Sequence, residues 1–331
     1  MIEVRHLTKR FGAKVAVDDL SFRVEPGRVT GFLGPNGAGK STTMRLILGL
    51  DWPNSGTATI DGKAYHEFRS PMRIVGALLE ARSVHTGRSA RNHLRFLAQT
   101  QGLPVRRVDE MLGLVGLADV AGKRAGSFSL GMSQRLGLAA ALLGDPQVLL
   151  LDEPVNGLDP EGVLWIRTML KRLAAEGRTI FVSSHLMNEM AVTADHLIVI
   201  GRGKMIADAS TADIIAQSKE RSVRVRTPDA GRLIPLIEEA GGEVSRDGAS
   251  TPAEVAVSAI DDGSAVGGAK PFSVTGLEAS RIGELAALGS IVLHELTPQL
   301  ASLEEAFMEL TSESLEFGSH ATDGTWQGGP R

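Results

Sequence analysis

The run Gly34-Pro35-Asn36-Gly37-Ala38-Gly39-Lys40-Ser41-Thr42 constrains this chain more than any other stretch. It satisfies G-x-x-x-x-G-K-[ST] at every fixed position, and its flanks supply the context that gives the pattern meaning. Val29-Thr30-Gly31-Phe32-Leu33 reads as a short buried strand before it, and residues 43–50 read as a helix after it. Glycines let a backbone wrap closely round phosphate oxygens, and the N–H groups at a helix start point at the anion. In such a loop Lys40 reaches the β- and γ-phosphates, and the Ser41 hydroxyl holds Mg²⁺. The expectation is a nucleoside-triphosphate site in an α/β fold.

Charge and composition narrow the surroundings. The 331 residues are enough for one large domain and a smaller one. Net charge is -4, but 8 Lys/Arg stand against 18 Asp/Glu from Glu220 onward, so residues 1–219 are net basic. That balance gives no general case for nucleic-acid binding. There is no cysteine, which excludes disulfides, thiolate metal sites and a cysteine nucleophile. The start lacks the basic-then-apolar pattern of a secretory signal, and no uninterrupted apolar run approaches the ~20 residues that cross a bilayer. The expected location is cytoplasmic, with any membrane part supplied by another chain.

Further strands are predicted at 2–4, 20–24, 57–60 (closed by an Asp61-Gly62 turn), 74–79, 148–151 and 179–182, with a hairpin across 197–206. Between them, residues 83–143 switch to a helical period: Leu94, Leu97 and Ala98 share a face, as do Val108, Met111, Leu112 and Val115. A helix is expected at 160–176. From 221 a second, α+β module begins, with strands at 221–226 and 254–260 and helices at 233–240, 282–288 and 301–310. The polar, Gly-rich tail at 312–331 is expected to be disordered.

Leu149-Leu150-Leu151-Asp152-Glu153-Pro154 places two carboxylates at the carboxyl end of a buried strand, the edge where the phosphate loop also opens. Asp152 suits Mg²⁺ coordination, and Glu153 suits polarisation of an attacking water. His185 follows the strand at 179–182 onto the same edge, within reach of a γ-phosphate. The other seven histidines are expected at surfaces or element ends.

Beyond a generic phosphate loop, Phe128-Ser129-Leu130-Gly131-Met132-Ser133-Gln134-Arg135 closely resembles the signature motif of ABC transporter ATPases. With Walker A at 34–42, Walker B at 148–153, Asn156-Gly157-Leu158-Asp159 as D-loop and His185 as switch histidine, five motifs stand in that family's order. The resemblance covers about residues 1–215. It implies a P-loop NTPase with a RecA-like core, an antiparallel β subdomain, a helical subdomain at 83–143, and an accessory module at 221–311. It also implies a head-to-tail homodimer in which Ser129, Gly131 and Met132 of one subunit face ATP held by residues 36–42 of the other. Phe11 matches the adenine-stacking aromatic. Glu80 replaces the usual Q-loop glutamine and, with Ser41 and Asp152, would meet Mg²⁺; Leu130-Gly131-Met132 replaces the familiar Ser-Gly-Gly. Both departures resemble the branch that includes bacitracin and daunorubicin export ATPases. By this resemblance the chain is the transport-coupled ATPase of an exporter, peripheral on the inner membrane face, driving a separately encoded permease. A soluble ATPase acting on nucleic acid fits poorly with a single ATPase core and an acidic C-terminal part; a regulatory module without turnover fits poorly with Asp152, Glu153 and His185 all in place.

Overall fold

The computed structural model describes residues 1–80, 84–217, 222–245 and 270–299. Its chain packs into two units, one spanning Met1–Ala212 and a second beginning at Asp213. The expected strand at 254–260, helix at 301–310 and tail at 312–331 lie outside the described residues.

The first unit is organised by a six-stranded sheet whose middle strands carry no polar face. In β3 (Val29–Leu33) every residue is buried, and the same holds for β7 (Thr179–Ser184) and four of the five residues of β6 (Val148–Asp152). Strands covered on both sides belong in the interior of a parallel sheet. The order is β5-β6-β7-β3-β8-β9, from β5 (Val75–Leu78) to β8 (His196–Gly201) and β9 (Lys204–Ser210). All neighbours pair in parallel except β8 and β9, which form a hairpin through Arg202 and Gly203.

A second, antiparallel sheet has the order β2-β1-β4, from β1 (Ile2–Phe11), β2 (Lys14–Val24) and β4 (Ser55–Ile60). β1 and β2 are longer than the alternation predicted, because the ladder runs past irregularities between Val4 and Arg10. Phe22 of β2 meets Phe32 of β3 and Phe181 of β7 at ring separations of 5.7 Å each, and the latter two lie 5.0 Å apart. This aromatic trio joins the sheets, and Met44 and Ile47 of α1 (Lys40–Ile47) share the same core.

Three helices fill the segment where the helical period was read: α2 (Ala90–Thr100), α3 (Arg106–Leu114) and α4 (Leu130–Leu142). Val108, Met111, Leu112 and Val115 are buried as one face, and so are Leu94 and Ala98. α5 (Pro160–Ala175) links β6 to β7, with Asp159 accepting from the Gly162 N–H as its N-cap. The short α6 (Met187–Thr193) links β7 to β8, a connection the sequence reading left unassigned. α7 (Thr211–Gln217) follows β9.

The second unit contains β10 (Ser222–Arg226), α8 (Ala230–Glu239), β11 (Glu243–Ser245), β12 (Phe272–Thr275), α9 (Ala279–Leu288) and β13 (Glu295–Gln299). Its sheet is antiparallel with order β11-β12-β10-β13. That is the ferredoxin-like split β-α-β arrangement. Val223, Val225, Phe272 and Val274 face Leu233, Ile237 and Ile282 in its core.

One histidine departs from expectation. His93 sits inside α2 rather than at a surface; it is 8 % exposed, and among the described residues its Nδ1 has no hydrogen-bond partner. Burial, then the charges of Arg88 and His85, hold its pKa below the ordinary 6.5. The unfolded chain therefore binds this proton at a higher pH than the folded chain. Stability should fall as pH drops below about 6.5, across the window down to the folded-state value. His93→Leu should flatten that part of the curve, measured as denaturant midpoints at several pH values. A profile unchanged by the substitution would rule out His93 as its source.

Candidate active site

The loop from 34 to 39 leaves β3 at the carboxyl edge of the parallel sheet and turns into α1 at Lys40. Gly39 caps the helix at φ 110°, where a Cβ would collide with the main-chain oxygen of Ala16. Only glycine meets both demands. The Ala38 N–H donates to Pro35 O at 3.1 Å, and the Gly203 N–H donates to Ala38 O at 2.9 Å, so the β8–β9 turn buttresses the loop. Asn36 and Gly37 are exposed at its crest, Ala38 and Lys40 are buried, and Ser41 faces solvent. Thr42 follows in the same first turn of α1.

Lys40 is 6 % exposed. Its Nζ donates to Gly34 O at 2.5 Å and Pro35 O at 3.3 Å, and lies 3.8 Å from Glu153 Oε1. Burial lowers its pKa, while Glu153 and Asp152 pull the other way. A triphosphate entering the loop offers this ammonium full negative charge in place of two neutral carbonyls.

β6 delivers the carboxylates. Asp152 stands beside Ser183 of β7 in the parallel register and accepts a hydrogen bond from its Oγ. Glu153 has a positive φ of 50°, uncommon for a residue with a side chain. Its Oε2 lies 2.9 Å from His185 Nδ1, while Oε1 is buried and has no hydrogen-bond partner among the described residues. A carboxylate oriented by an imidazole, with its second oxygen left without a hydrogen bond, is suited to take one from water.

Glu80 follows β5 and is exposed. Ser41, Glu80 and Asp152 all line one cleft of about 530 Å³. These are hard oxygen donors, the set that suits Mg²⁺. Glu80 and Asp152 also line a second cleft of about 340 Å³ with Glu153 and Leu130.

Ser129 caps α4, its Oγ accepting from the Met132 N–H at 3.2 Å. Gly131 and Met132 are half-buried in the first turn, and Leu130 is 41 % exposed. The helix start is therefore presented outward, where the positive end of its dipole favours an anion. Phe11 ends β1 with 52 % exposure, and Lys9 Nζ stands 5.0 Å from its ring centre, so it is not a core residue.

Sequence reasoning missed Ser183. It serves both carboxylate residues, since its Oγ also accepts from the Glu153 N–H at 3.1 Å. Only the pairing of β6 with β7 reveals it.

Comparison with known proteins places this geometry. Residues 17–156 match the family described as ABC transporter, and residues 221–304 match a domain of unknown function. An uncharacterized ABC transporter ATP-binding protein, YhcH of Bacillus subtilis (strain 168), is 34% identical over 97% of this chain and 99% of its own length. The bacitracin transport ATP-binding protein BcrA of Bacillus licheniformis is 38% identical over 72% of this chain and 79% of its own. Among solved structures, a dimeric ATP-binding cassette in a post-hydrolysis state, bound to ADP and Pi, aligns at TM-score 0.59. It is 23% identical, covering 64% of this chain and 99% of that one, a likeness of fold. With the phosphate loop, the carboxylate edge and full-length similarity in agreement, the chain belongs to the ATP-binding proteins of ABC transporters.

Proposed function

We propose that the chain is the motor subunit of an ABC exporter, hydrolysing ATP in a head-to-tail homodimer and driving a separately encoded permease. The observation that carries the proposal is the pairing of Glu153 with His185 beside Lys40, with Glu153 Oε1 accepting no hydrogen bond among the described residues. Residues 36–42 hold the phosphates, and Phe11 stacks on the adenine. Ser129, Gly131 and Met132 of the second subunit close over the γ-phosphate. Glu153 polarises the water, and His185 orients Glu153 and meets the γ-phosphate.

Ser41, Asp152 and Glu80 hold Mg²⁺, which when bound offsets the negative charge of the β- and γ-phosphates. Glu80 supplies a charge where an amide would supply a donor, so it serves the cation side of the site. Residues 1–215 act as the ATPase domain and 221–311 as the accessory module.

None of the described helices is long and apolar enough to cross a membrane. The protein works peripherally on the inner face of the cell membrane, through its permease. The bacitracin-type relative favours a drug, antibiotic or lipid-like cargo, which touches the permease rather than this chain.

Glu153→Gln should retain Mg-ATP binding and lose about 10²–10⁴ in turnover, because the amide keeps the shape without the base. Gel filtration with Mg-ATP should show the variant as a dimer; parent-like turnover would remove Glu153 from the role of base.

Lys40→Ala should weaken nucleotide binding itself, by about 10- to 100-fold, through loss of a charge-assisted contact. Calorimetric titration separates the two variants, and an unchanged affinity would mean that Lys40 does not meet the phosphates.

Gly131→Asp should fold and bind ATP as a monomer yet fail to turn over, since its carboxylate would meet the partner's γ-phosphate. Mixing it with Lys40→Ala can place both lesions in one site, leaving the other whole. Some activity should return; hydrolysis by Gly131→Asp alone at the parent rate would contradict the head-to-tail dimer.

A further inference from the structure

Glu153 holds its left-handed backbone between partners from two other elements. On one side its N–H donates to Ser183, at 3.1 Å to Oγ and 3.3 Å to the main-chain oxygen. On the other side its carbonyl accepts from the Asn156 N–H at 3.2 Å and from Gln134 Nε2 at 3.1 Å. The Asn156 bond closes a local turn. The Gln134 bond comes from α4, in a segment distant in sequence.

Gln134 is 3 % exposed, a depth at which an amide needs a partner. The loop after Glu153 keeps meeting α4. Leu130 packs against Gly157, at φ 75°, where any Cβ would overlap the leucine side chain. Arg135 approaches Asp159 at 4.0 Å and the Trp165 ring at 5.9 Å. The first turns of α4 therefore line the loop from Glu153 into α5.

We propose that Gln134 is a positioning residue that fixes the Glu153 peptide and so aims its carboxylate at His185 and the phosphate loop of the same subunit. This rests on the reading of Glu153 as the base. One helix then serves two sites: Ser129 and Gly131 at its start face the nucleotide of the partner, and Gln134 steadies the base of its own subunit. An uncommon φ persists only where surrounding contacts over-determine it, and removing the Gln134 donor relaxes that hold. Displacement of a reacting group by about 1 Å can cost ~10²-fold in rate.

Gln134→Met keeps the length of the side chain and removes the donor. It should bind Mg-ATP within about twofold of the parent and lose about 10- to 100-fold in kcat. Gln134→Glu adds a readout that simple destabilisation does not move. Its carboxyl can donate to the Glu153 carbonyl only when protonated, so its kcat relative to the parent should rise as the assay is acidified. That profile carries the test if Gln134→Met proves unfolded by thermal melting.

Tagged heterodimers locate the effect. A subunit carrying Lys40→Ala and Gln134→Met, paired with a parent subunit, should match a pair in which the first carries Lys40→Ala alone. Both lesions then lie in one site. A further drop would place the action of Gln134 on the partner's nucleotide and overturn the proposal. Parent-like kcat in Gln134→Met, or a loss confined to affinity, would overturn it as well. Glu153→Gln is the control: if it turns over normally, the underlying reading has failed, whereas an inactive Glu153→Gln beside a fully active Gln134→Met rejects the role of Gln134 alone.

Discussion

Parallel pairing of β3, β6 and β7 is the constraint on which the remaining geometry depends. Parallel neighbours end at one edge, so the loop after Leu33, the carboxylates after Leu151 and the Ser183–His185 segment must emerge together. Their burial on both faces makes the register costly to shift. A slip of one residue in β6 would remove Asp152 from Ser183 and carry Glu153 away from His185. The chemistry at that edge is thus held by strands whose apolar side chains take no part in it, while Asp152 and Ser183, at their carboxyl ends, do.

At the edge, the buried Lys40 ammonium and the Glu153 carboxylate are brought close. Lys40 is buried beside Glu153, and Glu153 is shared with His185. In such surroundings each charge is worth more to its neighbour than in bulk water, and each is costly to leave unpaired. The arrangement is polarised before a nucleotide arrives: an ammonium donating to neutral carbonyls, and a carboxylate with one oxygen on His185 and the other facing Lys40 at 3.8 Å. A polyphosphate completes it by supplying anionic oxygens where Lys40 now donates to the carbonyls of Gly34 and Pro35.

The second unit solves a different problem with the same means. Among the described residues its small core lies between the helices α8 and α9 and the sheet β11-β12-β10-β13, which the split β-α-β order supplies. Among the described residues β13 pairs with β10 alone, and it carries Pro298, whose missing N–H is tolerated at a sheet edge.

Much of the site was legible as residues. The phosphate loop, Asp152 with Glu153, His185 and the start of α4 each carry a local pattern whose chemistry is readable without coordinates. The helical period at 90–115 and the strands at 29–33 and 148–151 were equally plain, because their apolar spacing is a one-dimensional signal. β13 was not legible, since Pro298 reads as a breaker until the edge position is known. β11, with three residues, is too short to alternate. Ser183 and Gln134 lie in ordinary contexts and take their meaning from Asp152 and Glu153, which are remote in sequence. His93 has the look of a surface histidine in a helix, and its burial depends on what packs over α2. The sequence by itself determined which groups can bind phosphate, hold a hard cation or activate water, because those capacities belong to the side chains. Only the tertiary structure decided which of them share an edge, which backbone is held left-handed and which polar atoms lie buried, because those properties arise from contacts between segments far apart in the chain.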